Sequence, residues 1–289
     1  MMAGDKMTAD DDLERLVEIG LTEDVGPGDW TTLWTIPADR IVGARIVAKA
    51  AGVLAGTDAA LATIRRVDPT VSAVACRRDG DALEPWDEII LLRGSARAIL
   101  SAERLMLNFL QHLSGVATAT QAYVNAVAGT GVRILDTRKT SPGMRTLEKG
   151  AVRAGGGTNH RFGLHDMILI KENHIRAAGG IVAAVNAIAA NNTRKLKVEV
   201  EATNLEEVAL ALAAGVDRIL FDNMTIDSLR AAVALVARSG TRTETEASGG
   251  VTLSTVREIA ETGVQYISVG AITHSAPALD LSLLVDRDE

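Results

Sequence analysis

The stretch "LKVEVEATNLEEVALALAAGVDRILFD", Leu196 to Asp222, decides how this chain is read. Its opening residues alternate apolar and acidic side chains with the period of two that marks a strand, which puts Glu199 and Glu201 on one face. "LEEVALALAAGV" then repeats its apolar residues at helical spacing and stops on glycine. "RILFD" is a second short β-rich run, so the whole is a strand–helix–strand unit of the kind that builds a parallel sheet.

The pattern recurs on both sides. "VRILD" (Val132 to Asp136), "MILIK" (Met167 to Lys171), "TETEAS" (Thr243 to Ser248) and "YISVGA" (Tyr266 to Ala271) bring the β-rich runs to six. Helical stretches such as "GGIVAAVNAIAANN", "SLRAAVALVARSG" and "LSTVREIAETG" lie between most of them. Polar or small residues mark each run or its end: Thr137, Arg138 and Lys139; Lys171, Glu172 and Asn173; Glu199 and Glu201; Asp222 and Asn223; Ser248, Gly249 and Gly250; Gly270 and Ala271. Barrels of this class build their active sites at the C-terminal ends of the strands. Six such ends in succession predict one shared site rather than a set of solvated loops.

The first half reads differently. A helix is expected at "DLERLVEIGLTED", then a turn-rich "VGPGDWTT", then strand-like "GARIVAKAAGVLAG". A helix at "TDAALATIRRV", a strand at "DEIILLRGSARAIL" and a long helical zone from Ser101 to about Ala128 follow. This is an α+β arrangement feeding into the βα half.

Composition narrows the function. The 289 residues are 47% apolar and only 3% aromatic, which predicts an aliphatic core. A formal charge of −7 argues against general nucleic-acid binding, which needs a basic face. Cys76 is the single cysteine, so a disulfide framework and a thiolate zinc cluster are both excluded. "MMAGDKMTADDDLER" is acidic and lacks the apolar segment of a signal peptide, and no run is long enough to span a membrane. A cytoplasmic protein is expected.

The charge is uneven. Arg133 to Arg176 holds nine Lys/Arg against four Asp/Glu, so this segment is +5 and the other 245 residues carry −12. Within it lies "GGGTNHR", Gly155 to Arg161. Three consecutive glycines predict close approach of backbone to a ligand, and the basic pair His160 and Arg161 predicts that the ligand is an anion. The later pair "ASGGVT" and "VGAIT" resembles the phosphate site formed by the last loops of a barrel, where backbone N–H groups meet the anion.

Taken together, "LDTRKTSPGMRTLEKGAVRAGGGTNHRFGLHDMILIKENHI", "VEVEA", "FDNM" and "EASGGVTLSTVREIAETGVQYISVGAITHSAPALDLSL" resemble the signature of the quinolinate phosphoribosyltransferase family. "EDVGPGDWTT" and "GSARAILSAERLMLNFLQHLSGVAT" extend the resemblance over nearly the whole chain; Trp30 and Ser141 are slight departures from the pattern. The resemblance implies an incomplete, six-stranded α/β barrel (residues 116–274). An N-terminal α/β sandwich (residues 1–115), joined by residues 275–289, would accompany it. It implies a reaction of quinolinate with phosphoribosyl pyrophosphate, giving nicotinate mononucleotide, pyrophosphate and CO2, with Mg2+.

By the same resemblance, Arg138, His160, Arg161 and Lys171 hold the pyridine dicarboxylate, and Arg104 reaches in from the partner of a homodimer. A larger assembly stays open. Lys139, Glu201, Asp222, Ser248, Gly249, Gly250, Gly270, Ala271 and His274 are expected around phosphoribosyl pyrophosphate. Lys139, Lys171, Glu201 and Asp222 would take the catalytic roles, with Glu201 and Asp222 holding Mg2+ directly or through water. His112 and His165 read as structural or surface residues, and the bland alternative for His160 is a satisfied core histidine. Two rivals remain: a Schiff-base aldolase using Lys171, and a non-catalytic binder like the family's molybdenum-transport relatives. The second is disfavoured because "KENH" and "GGGTNHR" are intact.

Overall fold

A computed structural model describes residues 9–286. The acidic N-terminal stretch read above lies outside the described residues up to Thr8, as do Arg287 to Glu289. In chain order the first elements are α1 (Ala9–Asp24), α2 (Trp30–Thr35), β1 (Ile41–Ala48), β2 (Gly52–Val53) and α3 (Thr57–Val67). Next come β3 (Ser72–Ala75), β4 (Ala82–Leu83), β5 (Glu88–Ser95) and the long α4 (Ala96–Ala126). The βα half follows: β6 (Arg133–Leu135), α5 (Arg145–Ala154), β7 (Ile168–Ile170), α6 (Glu172–Ala178), α7 (Ile181–Asn191), β8 (Val198–Ala202) and α8 (Leu205–Ala213). Then β9 (Arg218–Asp222), α9 (Ile226–Arg238), β10 (Glu244–Ser248), α10 (Val256–Ala260), β11 (Tyr266–Ser268), α11 (Ala271–His274) and β12 (Leu281–Val285) complete it.

The chain divides into two units. The first contains the residues up to Gln121, Thr140–Gly156 and the residues from Ile272 onward; the second contains Ala122–Lys139 and Gly157–Ala271.

In the first unit an antiparallel sheet runs in the order β12-β1-β5-β3. Its core is aliphatic as composition predicts, with Ile46, Leu54, Ile64, Leu83, Ile90, Ile99 and Leu110 all buried. The β1/β5 register shifts at Ile46/Val47. That bulge lets two consecutive residues, Ile89 and Ile90, both be buried, which strict alternation forbids. The charges of α3 complement its dipole, with Asp58 in the first turn and Arg65 and Arg66 in the last. Asp79 caps the same helix, accepting from the backbone N–H groups of Gly56 and Thr57 at 2.9 and 3.1 Å.

Three readings of this half need correction. The turn-rich "VGPGDWTT" runs into helix α2, because Asp29 accepts the Thr32 N–H at 3.0 Å and nucleates it. The strand in "DEIILLRGSARAIL" stops at Ser95, and α4 already begins at Ala96. "GARIVAKAAGVLAG" is two strands, not one. Sequence reading also passed over β3, α5, α6 and β12, each short or flanked by charge.

The glycine run has a packing origin as well. A Cβ on Gly155 would overlap the Ala117 carbonyl oxygen of α4 and sit 2.8 Å from Thr120 Cβ. Gly156 adopts φ +82°, the left-handed region that glycine occupies without strain. Helix contact and a turn therefore account for the first two glycines.

In the second unit all six strands are parallel, in the order β6-β11-β10-β9-β8-β7. Strands β6 and β7, first in sequence, are not paired with each other. The sheet is thus a barrel left open at one seam. Val208, Leu229, Ala232 and Val256 on the intervening helices are buried. So are the strand residues of one parity, Val200, Ile219, Phe221, Ala247 and Ile267.

Candidate active site

The opposite parity of the strands carries a polar cluster among leucines such as Leu135, Leu169 and Leu220. Register places Glu199 beside Arg218, and Arg218 beside Glu244. Glu246 pairs in register with Tyr266. These residues form a network on the inner face instead of the usual apolar filling. Arg218 Nη1 donates to Glu246 Oε2 at 3.0 Å and Nη2 to Glu244 Oε2 at 2.9 Å. The Tyr266 hydroxyl donates to Glu244 Oε1 at 3.0 Å and itself accepts from Arg133 Nη2.

The "GGGTNHR" stretch lies along the seam. Thr158 bridges to Leu135 as a parallel partner. Its N–H donates to Ile134 O at 2.8 Å, and its carbonyl accepts the Asp136 N–H at 3.2 Å. Fully buried Asp136, at the end of β6, accepts the His160 N–H at 2.8 Å and Asn159 Nδ2 at 2.6 Å. On the other bank, Arg161 Nη1 donates to Met167 O at 3.1 Å, just before β7. Asp166 accepts the N–H groups of Phe162 and Gly163 at 2.6 and 2.9 Å. Those bonds hold the Asp166 carboxyl below its usual range against the opposing effect of burial.

His160 turns inward. Its Nε2 lies 3.1 Å from Glu199 Oε2 and 3.5 Å from Glu246 Oε2, and both carboxylates are fully buried. The contact to Glu199 is off the line a hydrogen bond needs, so neither Glu199 oxygen has an aligned donor. Nδ1 accepts the Arg161 N–H at 2.7 Å. Burial favours a neutral imidazole, but Glu199 and Glu246 outweigh it and lift His160 to about 9. Burial, with the Glu246 charge beside it, raises Glu199 to about 7. These values belong to the pair: between about pH 7 and 9 it keeps one dissociable proton. Since Nδ1 accepts a hydrogen bond, that proton is assigned to Glu199, while the neutral ring presents Nε2–H. Glu246 moves down despite its burial, because His160 and Arg218 face it.

His160, Glu199 and Glu246 bring ligand-type atoms within 4.8 Å of one another. Their chemistry does not suit a metal, because His160 Nε2 carries a proton rather than a free lone pair.

A stability consequence follows from the raised values. The folded protein holds a proton that unfolded histidine, at 6.5, has lost, so this contribution is complete below pH 6.5 and disappears as pH rises through about 9. The pair's other proton, lost at about 7 against 4.5 in the unfolded chain, acts in the same direction. Thermal unfolding is expected to show a midpoint lower by roughly 5 °C at pH 9 than at pH 7, with a smaller fall in His160→Asn.

At the strand ends, Lys171 Nζ donates to Glu201 Oε2 at 2.7 Å. His174 Nδ1 accepts the Lys171 N–H at 3.0 Å, fixing the start of α6. Asp222 Oδ2 accepts Asn223 Nδ2 at 2.8 Å. The Asn223 N–H in turn donates to Ser248 O at 2.9 Å. Asn223 is left-handed at φ +52°, and its side chain fills the space a Cβ on Gly249 would need. Arg138 is half-buried, and its charge, after burial itself, depresses the Arg161 guanidinium. Lys139 is exposed beside it in the chain.

The structure therefore gathers Arg138, Lys139, His160, Arg161, Lys171, Glu201, Asp222, Ser248, Gly249, Gly250, Gly270 and Ala271 in the barrel unit. Arg104 and His274 belong to the first unit, where Arg104 is exposed on α4 and His274 Nδ1 contacts Ser275 Oγ at 2.6 Å. His112 Nε2 pairs with buried Glu148 at 2.8 Å, a structural contact, and His165 is an exposed neighbour of Phe162. Sequence reading missed Arg218, Glu244, Glu246 and Asp136. The repeated glutamates of "ETEAS", two residues apart like those of "VEVEA", were the available signal.

Residues 116–284 match the family model of the quinolinate phosphoribosyl transferase C-terminal domain, and residues 29–114 that of the N-terminal domain. A Bacillus subtilis protein named probable nicotinate-nucleotide pyrophosphorylase (carboxylating) is 42% identical over 271 residues, covering 94% of this chain and 92% of its own. An Arabidopsis thaliana chloroplastic nicotinate-nucleotide pyrophosphorylase (carboxylating) is 44% identical over 296 residues, covering 96% and 84%. The solved nicotinate-nucleotide pyrophosphorylase of Francisella tularensis superposes with a TM-score of 0.91 at 41% identity, covering 97% of this chain and 98% of that one.

Proposed function

The chain belongs to the quinolinate phosphoribosyltransferase family, and from that membership we propose how its own residues carry the family's reaction. The enzyme is a carboxylating nicotinate-nucleotide pyrophosphorylase. It joins quinolinate to phosphoribosyl pyrophosphate and releases nicotinate mononucleotide, pyrophosphate and CO2, a step in making NAD. Family membership leaves no place for the aldolase reading of Lys171.

One observation supports the placement of quinolinate: Arg161 is buried at the seam and Arg138 half-buried, and burial first, then the Arg138 charge, depresses the Arg161 guanidinium. Two like charges held together favour an anion between them. A planar dicarboxylate suits this pair, because each guanidinium can offer two parallel N–H bonds to a carboxylate. Lys171 completes the cation set, and Arg104 of a second subunit adds to it in a homodimer. His160 contributes from behind, through the segment that carries Arg161.

Phosphoribosyl pyrophosphate lies across the neighbouring strand ends. The Ser248-Gly249-Gly250 and Gly270-Ala271 loops receive the 5′-phosphate on backbone N–H groups. Glu201 and Asp222 accept the ribose hydroxyls. Both are carboxylates, the hard oxygen donors that suit Mg2+, so they are also the residues that would hold it. When bound, that ion neutralises pyrophosphate oxygens. Lys139 and Lys171 meet the same developing negative charge as the leaving group departs.

The pyridine nitrogen attacks the anomeric carbon while the bond to pyrophosphate breaks. Carboxylates beside the ribose tolerate the positive charge that builds there. In the adduct the ring nitrogen is cationic, so the electron pair left on the adjacent carbon by departing CO2 is stabilised until a proton joins it. The protein's share is orientation and electrostatics.

The reading is tested by mixing the protein with quinolinate, phosphoribosyl pyrophosphate and Mg2+ and following CO2 release. Activity is expected to fall on chelation and to return when Mg2+ is restored. Turnover unaffected by a chelator would remove the metal from Glu201 and Asp222. No described helix is long and apolar enough to cross a membrane.

A further inference from the structure

We propose that Glu199 and Glu246 are positioning residues that act through the His160 imidazole, as a strut, to hold the Arg161 guanidinium at the open seam of the barrel. This rests on the reading of Arg161 as a quinolinate ligand.

The seam makes such a device necessary. Between β6 and β7 no strand ladder continues the sheet, so the segment that carries Arg161 is secured by separate contacts. Asp136 fixes the backbone at His160. Beyond that point the Arg161 N–H has one acceptor in its own segment, His160 Nδ1 at 2.7 Å. An imidazole is rigid, so the direction of Nδ1 is set by what holds Nε2. That hold comes from Glu199 on β8 and Glu246 on β10, two strands that do not neighbour each other. The ring is thereby referred to the barrel itself rather than to a loop.

The carboxylates are fixed in turn. Arg218 takes Glu246 at 3.0 Å and is tied to Glu244, so Glu246 cannot swing without disturbing β9. Glu199, fully buried and without an aligned donor, meets the ring at 3.1 Å, with Glu246 and Arg218 as its charged neighbours. A buried carboxyl left in that state is costly, and a purely structural site would have an apolar side chain there. A neutral, protonated Glu199 reduces the cost while its Oε2 stays 3.1 Å from His160 Nε2.

Two variants cut the strut at different points. Glu199→Met fills the volume without an acceptor, and volume-matched apolar replacements in buried ionic clusters often keep the fold. His160→Asn retains an acceptor near the Nδ1 position and removes Nε2. Each is expected to raise KM for quinolinate about tenfold while KM for phosphoribosyl pyrophosphate changes by less than about twofold. The double variant should cost no more than either single one, because both sever one linkage. Glu199→Gln, which preserves an acceptor, should remain near the parent enzyme.

Amide hydrogen exchange, measured on the same full-length variants, separates this idea from the reading beneath it. Faster exchange confined to residues 158–161 supports the strut; unchanged exchange there, or loosening across all six strands, overturns it. Equal shifts in both KM values, or additive effects in the double variant, overturn it too. Arg161→Ala is the control for the underlying reading: if that change leaves KM for quinolinate unaltered, Arg161 is not a ligand, whatever the exchange data say of the strut.

Discussion

Arg161→Ala should lower kcat/KM for quinolinate by about 10- to 100-fold, with the loss carried mainly by KM. A hydrogen bond to a charged partner contributes about 1.5–3 kcal/mol, and about 1.4 kcal/mol is a factor of ten. The residue is buried, with one guanidinium nitrogen anchored to the Met167 carbonyl, so solvent cannot readily replace it. Arg161→Lys should not restore activity, because an ammonium lacks the planar fork that meets a carboxylate with two parallel bonds. Steady-state kinetics with quinolinate varied at saturating phosphoribosyl pyrophosphate is the measurement. An unchanged KM would place the dicarboxylate elsewhere.

The largest stability effect is expected not from a charge but from Gly155→Ala. The added methyl would overlap the Ala117 carbonyl oxygen and lie 2.8 Å from Thr120 Cβ. One of these obstacles is backbone in the middle of α4, which cannot turn aside as a flexible side chain can. Overpacking of this kind costs about 3 kcal/mol, at the upper end of the usual range. Gly156→Ala meets a different penalty, since φ is +82° there and an L-residue loses roughly 1–2 kcal/mol in that region. Urea unfolding midpoints would rank the two. A Gly155→Ala protein as stable as the parent would mean that α4 and the glycine are not packed as described.

These glycines also show where sequence reading reached its limit. "GGGTNHR" announces a special backbone, and it does lie at the seam that presents Arg161. The reason for the first glycine, however, is helix α4, which is almost forty residues earlier in the chain and gives no local sign of the contact. The six strands were legible because period-two alternation and glycine-stopped helices are local signals. The strand-end residues Lys171 and Glu201 were found by the same logic and do pair. What alternation cannot say is which inward residues meet across the barrel. Glu199 faces His160 rather than solvent or substrate, and that choice is made by sheet register and by the gap between β6 and β7. Helix α2 was hidden for a related reason: one aspartate, Asp29, converts a turn-rich stretch into a capped helix.

The chain's route between its two units has a consequence for descent and engineering. The barrel unit is interrupted by Thr140–Gly156, which belong with the N-terminal part, and the last strand, β12, pairs with β1. A gene cut between residues 114 and 116, where the two family models divide, would strand Glu148 without His112 and β12 without its ladder. Recombination that swaps one half for a relative's should therefore succeed only when α5 and the C-terminal strand come from the same parent as the N-terminal part. Such interleaving makes the two units a single heritable piece.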